Sequence, residues 1–116
     1  MAFKISLQHA LRGLGRAART EPNIRWQLFL TVLAFSLGLL FQLSRGEWLL
    51  IIVVVGLVLA MELVNTALEK TLDIIKPRFD EQVGRIKDIM AGAVLIASLV
   101  ALASGILVFW PHLFRV

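Results

Sequence analysis

Three apolar segments are long enough to cross a lipid bilayer, and they limit what this chain can fold into. Residues 26–43 and 89–110 carry no charged side chain over 18 and 22 residues. The third segment, residues 48–76, is uncharged until Glu62. A helix rises 1.5 Å per residue and the hydrocarbon core is about 30 Å thick, so each segment is a predicted transmembrane helix. With 59% hydrophobic residues, the sequence predicts an all-α integral membrane protein.

The first twenty residues differ from the three apolar segments because they alternate between apolar and basic side chains. On a helix, Leu7, Leu11 and Leu14 share one face, and arginines such as Arg12 and Arg16 occupy the opposite face. This pattern predicts an amphipathic helix over 1–20 that lies in the membrane interface, with its basic face toward headgroups and water.

A polar stripe follows the apolar part of the second span. Glu62, Asn65, Glu69 and Asp73 fall within about 80° of arc on a helix. Counted from Trp48, Glu62 lies about 21 Å along the helix, inside the hydrocarbon, and Glu69 about 31 Å along, near the interface. Asp73 lies beyond, in the part of the helix that extends into the cytoplasm. Because carboxylates are costly in a membrane, the stripe predicts a functional site.

The distribution of basic residues predicts the topology. Ten of the twelve Lys and Arg residues precede the first span or lie between Lys70 and the end of a polar loop, 77–88. By the positive-inside rule, the N-terminus is cytoplasmic and the C-terminus is extracytoplasmic. Glu21, before the first span, and Lys87 and Asp88, in the loop, should therefore meet the stripe at the cytoplasmic interface.

This combination of groups suits phosphoryl transfer to a lipid alcohol. Carboxylate and amide oxygens fit Mg²⁺, and the chain has no cysteine for a thiolate site. A lysine can neutralise a polyphosphate, and Glu62, held away from water, could act as general base on a hydroxyl. A small cation- or proton-coupled transporter is the alternative use of membrane carboxylates, and a structural membrane subunit is a second alternative.

Four sequence blocks, spread in order over nearly the whole chain, resemble the conserved-looking blocks of a known protein family. They are Ala10-Leu-Arg-Gly13-Leu, Glu21-Pro-Asn23-Ile-Arg25, Glu62-Leu-Val-Asn65-Thr-Ala-Leu-Glu69 with the following Asp73, and Lys87-Asp88-Ile-Met-Ala-Gly-Ala-Val-Leu. Together they resemble the prokaryotic diacylglycerol kinase family, which includes the undecaprenol kinases. The resemblance implies ATP, Mg²⁺ and a membrane lipid alcohol as ligands, and no nucleic acid.

The resemblance also implies a role for each matching residue. Glu62 is expected to be the catalytic base, and Glu21 and Glu69 are expected to bind the Mg²⁺ that bridges the phosphates of ATP. The residues expected at the nucleotide are His9, Glu21, Glu69, Asp73, Asp80, Lys87 and Asp88, with the loop around Arg78. Those expected to bind or orient the lipid substrate are Glu62, Asn65, Arg25 and Ala91.

Assembly, location and acceptor follow from the same resemblance. It implies a homotrimer in the bacterial inner membrane, with active sites between neighbouring subunits at the cytoplasmic interface. Some positions depart from the family pattern: His9 stands where some relatives carry Tyr, Ala2 replaces an early Arg, and Ala91 replaces a Ser. The Glu21-to-Arg25 block is more similar to the undecaprenol kinase branch, so we expect undecaprenol rather than diacylglycerol as acceptor, for recycling of envelope lipids.

Overall fold

The computed structural model describes residues 2–75 and 80–114, and these form four α-helices. They are α1 (Ala2–Thr20), α2 (Pro22–Leu40), α3 (Arg45–Ile75) and α4 (Glu81–Leu113). The last three are long and apolar enough to cross a membrane. The prediction of one amphipathic N-terminal helix and three membrane-length helices is therefore confirmed within the described residues.

A sharp corner joins α1 to α2. None of the residues of α1, Ala2–Thr20, is buried, as expected for a helix whose apolar face meets lipid. Glu21 has an extended backbone and is the N-cap of α2, and Pro22 follows in the first turn, where its missing N–H costs nothing. Across the corner, Nη1 of Arg25 donates to the carbonyl oxygen of Arg19 over 2.8 Å, which satisfies one of the open carbonyls at the end of α1.

The hairpin between α2 and α3 is closed by a compact apolar cluster. Leu43, in the connection, and Ile51, in the second turn of α3, are both buried. The ring of Phe35 meets that of Trp48 edge-on, with the ring centroids 5.8 Å apart. This cluster fixes α2 against α3 at the end of the molecule opposite the polar stripe.

The most extensive contact lies between α3 and α4. On α3 the buried residues are Ile51, Val54, Val58 and Glu62. On α4 they are Val83, Ala97, Ser104 and Val108. At the hairpin end, Nε2 of His112 lies 3.0 Å from Oε2 of Glu47 and joins the last turn of α4 to the first turn of α3.

The expected polar loop is shorter than the sequence suggested. Residues 81–88, predicted to be part of the loop 77–88, already belong to α4. The reason is a helix cap, because Oδ1 of Asp80 accepts hydrogen bonds from the backbone N–H groups of Gln82 (2.8 Å) and Val83 (3.3 Å). Lys87 and Asp88 are consequently held on a helix. Residues 76–79, including Arg78, lie outside the described residues.

Candidate active site

The polar stripe of α3 continues the face that packs inside the protein. The buried residues of this helix, 51, 54, 58 and 62, are spaced by three, four and four residues. Residues 65, 69 and 73 continue with the same spacing, so the seven positions form one seam along the helix. The seam changes from apolar to polar at Glu62, which is 7% exposed. Glu62 is therefore directed into the packed part of the molecule.

Asn65 and Glu69 form the next part of the seam. Nδ2 of Asn65 donates to Oε1 of Glu69 over a long 3.4 Å. The carbonyl oxygen Oδ1 of Asn65 is buried and has no hydrogen-bond partner among residues 2–75 and 80–114. Because a buried acceptor without a partner costs free energy, this oxygen is suited to receive a hydroxyl group or a cation.

Glu21 reaches this part of α3 from the start of α2. Its carboxylate makes no capping hydrogen bond to α2. Instead Oε2 lies 3.2 Å from Nζ of Lys70 and 3.3 Å from Oγ1 of Thr20. Since Lys70 follows Glu69 in the chain, this contact brings Glu21 to the turn of α3 that carries Glu69. The two carboxylates expected to bind metal are thus brought to one end of the molecule.

Asp73 and Lys87 close the polar end of the seam. Nζ of Lys87, on α4, donates to Oδ1 of Asp73, on α3, over 2.8 Å. The Lys87 side chain is only 29% exposed, so its charge is partly withdrawn from water. Asp88, the next residue on α4, is exposed. The structure therefore places a lysine from α4 against the carboxylate stripe of α3, and its expected role at a polyphosphate stays a prediction.

The other expected site residues have different positions. His9 and Ala91 are exposed on α1 and α4. The Arg25 side chain is hydrogen-bonded to the end of α1, and Asp80 caps α4. Their expected roles toward nucleotide and lipid stay predictions. Lys70, by contrast, was not predicted as a site residue, because it lies outside the narrow arc of the acidic stripe.

The donor set near Glu69 fits a cation shared with a phosphate better than an enclosed metal site. Within the part of the chain that the structure describes, no three His, Asp or Glu side chains converge on one point. Mg²⁺ commonly uses one or two carboxylates and takes its remaining oxygens from water and substrate phosphates. Glu21 and Glu69 could supply the carboxylates.

Comparison with known proteins gives a consistent result. Residues 8–109 match the family model described as prokaryotic diacylglycerol kinase. The sequence is 35% identical over 111 residues to the undecaprenol kinase of Bacillus subtilis (strain 168), which covers 96% of this chain and 90% of that protein. It is 31% identical over 104 residues to the diacylglycerol kinase of Escherichia coli (strain K12), covering 90% of this chain and 85% of the relative. The diacylglycerol kinase of Haemophilus influenzae is 35% identical over 92 residues, 79% of this chain.

Proposed function

Because the chain belongs to the prokaryotic diacylglycerol kinase family of membrane lipid kinases, we propose that it transfers the γ-phosphoryl group of ATP to undecaprenol. Family membership argues against the two alternative functions of the acidic stripe, a coupled transporter and a structural membrane subunit. The observation that carries the proposal is the change along the α3 seam, from buried apolar residues to Glu62 and then to Glu69 and the ion-paired Asp73. One helix face thereby connects a lipid environment to a site for a charged nucleotide.

Undecaprenol is the proposed acceptor for two reasons. The relative that aligns over 96% of this chain is named an undecaprenol kinase. The residues from Glu21 to Arg25 also follow the pattern of that branch in the region where α1 turns into α2. Diacylglycerol is the second candidate, since other relatives of similar identity carry that name. The product of the proposed reaction is undecaprenyl phosphate, which is used again in envelope synthesis.

Glu62 is the proposed general base. This role is supported by its burial within a membrane-length helix, where water is largely excluded and the hydroxyl of a membrane alcohol could approach. In the proposed step the lipid oxygen bonds to the γ-phosphorus as its proton passes to Glu62. The bond from the γ-phosphorus to the β,γ-bridging oxygen breaks, and ADP leaves. The unpartnered Oδ1 of Asn65 would accept a hydrogen bond from the hydroxyl and orient it.

The charged end of the seam is the proposed nucleotide site. Mg²⁺, held by Glu21 and Glu69, would neutralise phosphate charge when it is bound with ATP. Lys87 would turn from Asp73 toward the phosphates, and Asp73 and Asp88 would position the nucleotide. The catalytic effect expected from these residues is orientation and charge neutralisation, as for other phosphoryl transfers.

Assembly and orientation complete the proposal. Glu69, Asp73 and Asp88 are exposed in the single chain, which is consistent with a nucleotide site that a neighbouring subunit encloses. A homotrimer with sites between subunits would supply it. The basic residues of α1 and of the α3–α4 connection favour the cytoplasm for this end of the molecule.

The proposal is tested with purified protein in mixed micelles supplied with Mg²⁺ and γ-labelled ATP. Undecaprenol and diacylglycerol are offered in parallel, and label in the lipid fraction is measured. We expect faster labelling of undecaprenol, and a loss of about 10²–10⁴-fold in Glu62→Gln. Glu81→Gln, which alters an exposed carboxylate on α4, is the matched control. No labelling of either alcohol would contradict the kinase mechanism, and faster labelling of diacylglycerol would contradict the acceptor.

A further inference from the structure

Two lysines bracket the carboxylates of the proposed nucleotide site. Lys87 pairs with Asp73 from α4, and Lys70 pairs with Glu21 across the space between α3 and α2. Glu21, Glu69 and Asp73 bring three negative charges to this region and the two lysines bring two positive charges. Two of these three carboxylates, those of Glu21 and Asp73, are therefore paired with lysines in the structure, whereas Glu69 accepts a hydrogen bond from Asn65.

The ion pair between Lys70 and Glu21 is of a kind that breaks and re-forms readily. The Lys70 side chain is 65% exposed and its Nζ lies 3.2 Å from the Glu21 carboxylate. Exposed pairs with such geometry contribute little to stability because water and salt screen them. Lysine also carries a compact charge on a flexible stem of four carbons, so its ammonium group can move by several ångströms without a change in the helix.

We propose that Lys70 is a second phosphate-binding residue of the nucleotide site, which leaves Glu21 for the phosphates when Mg-nucleotide binds. This proposal rests on the proposed function. Glu21 and Glu69 would hold a divalent cation, and Glu21 would then exchange the ammonium group of Lys70 for that cation. The displaced ammonium group then lies beside the phosphates that the same cation contacts, where Coulomb attraction favours it. The net charge of Mg-ATP, about −2, requires cations of this kind.

A purely structural function for Lys70 makes a different prediction. If Lys70 only holds Glu21 in place, its loss should weaken the binding of metal and nucleotide together. If Lys70 competes with the cation for Glu21 and then binds phosphate, its loss should weaken nucleotide binding without weakening the binding of metal alone. The two roles are therefore separated by measuring the ligands one at a time.

The experiment compares the wild type with Lys70→Met, Lys70→Arg and the control Arg85→Met in micelles. Arg85 is exposed on α4, and its Nη2 lies 3.8 Å from Oε2 of Glu81. Binding of a non-hydrolysable Mg-ATP analogue is followed by calorimetry, and binding of Mn²⁺ alone by the loss of the free-ion paramagnetic resonance signal. For Lys70→Met we expect nucleotide affinity to fall about tenfold, while Mn²⁺ affinity stays equal or rises. Lys70→Arg should keep most of the nucleotide affinity.

Each contrary result has a definite meaning. Unchanged nucleotide affinity in Lys70→Met would overturn the proposal, and so would equal losses for nucleotide and Mn²⁺. If the wild type labels lipid but Lys70→Met binds nucleotide normally, only the assignment of Lys70 fails. If the wild type binds no nucleotide, the proposed function fails, and this assignment fails with it. The thermal midpoint of each variant is measured alongside to show that the protein is folded.

Discussion

Nζ of Lys87 lies 2.8 Å from Oδ1 of Asp73, and this ion pair joins the beginning of α4 to the end of α3. The two residues are 14 positions apart in the chain and belong to antiparallel helices. Their side chains are 29% and 44% exposed, which is less than for the Arg85–Glu81 pair on the outer surface of α4. The contact holds a lysine over the polar seam of α3, where the proposed nucleotide site lies.

Replacing Lys87 should therefore affect nucleotide use far more than folding. For Lys87→Met we expect kcat/KM for ATP to fall by about tenfold or more, because a charge-assisted bond to phosphate contributes about 1.5–3 kcal/mol. The thermal midpoint should change little, since partly exposed ion pairs are weak. Initial rates at varied ATP concentration measure the first effect. Arg85→Met, which removes a cation of the same helix, is the control, and an equal loss in that variant would contradict a specific function for Lys87.

Replacing Asn65 should also reduce activity without reducing the stability of the protein. Its Oδ1 is buried and unpartnered within the described residues, so Asn65→Leu removes an unsatisfied acceptor and loses only the 3.4 Å bond to Glu69. We expect stability to be unchanged or to rise by about 1 kcal/mol, with lipid phosphorylation reduced by about tenfold or more. Thermal unfolding in micelles and the labelling assay give the two values. Gln82→Leu, an exposed amide on α4, is the control. A stability loss matching the activity loss would mean that Asn65 is structural.

Much of the fold could be predicted because membrane helices are coded by length and composition. The three long helices were predicted from the apolar segments, and α1 was predicted from the helical period of its basic and apolar residues. The helix boundaries were harder to predict, because they depend on the residues that cap each helix. The Asp80 cap starts α4 at Glu81, inside a segment whose charges suggested a loop. Polar composition indicates contact with water, and a helix that emerges from the membrane has the same composition as a loop.

The arrangement of the site residues along α3 could be predicted from the sequence, but the contacts between helices could be predicted less well. The spacing of Glu62, Asn65, Glu69 and Asp73 is a local property of α3, so the sequence was sufficient to place them on one face. The pair of Lys70 with Glu21 joins residues 49 positions apart in the chain. Its geometry depends on how α2 packs against α3, and no periodicity in the sequence reports that packing.

The turn that ends α2 contains a residue in an unfavourable conformation, and relieving it should stabilise the protein. Gln42 has φ 53°, in the left-handed region that favours glycine. The backbone N–H of Leu43 donates to the carbonyl of Gly38 over 3.2 Å, and that of Gln42 to Leu39 over 3.3 Å, as in a Schellman motif. Glycine is the usual residue at the position of Gln42.

For Gln42→Gly we expect a gain of about 0.5–1 kcal/mol, the relief of strain less the added entropy of the unfolded chain. Gln42→Val should lose stability instead, because a β-branched residue rarely adopts a positive φ. Thermal midpoints of the two variants in the same micelles test the pair. If both substitutions shift the midpoint in the same direction, the backbone conformation of residue 42 is not what limits stability here.

Gly38 should be intolerant of even one added methyl group. A Cβ at this position would lie 2.6 Å from Cη2 and 2.9 Å from Cζ2 of Trp48, and 3.1 Å from Cδ1 of Leu43. The indole cannot move away easily, because it also packs against Phe35. We therefore expect Gly38→Ala to destabilise the hairpin by about 1–3 kcal/mol, the usual cost of overpacking.

Gly56→Ala is the matched control, because apart from the neighbouring backbone of α3 itself no described atom lies within 4 Å of a Cβ at that position. Alanine has the higher helix propensity, so this variant should gain up to about 1 kcal/mol. Unfolding of both variants is followed in the same micelles, together with the wild-type protein. Equal stability of the two variants would show that α2 and α3 pack less tightly at Trp48 than the structure indicates.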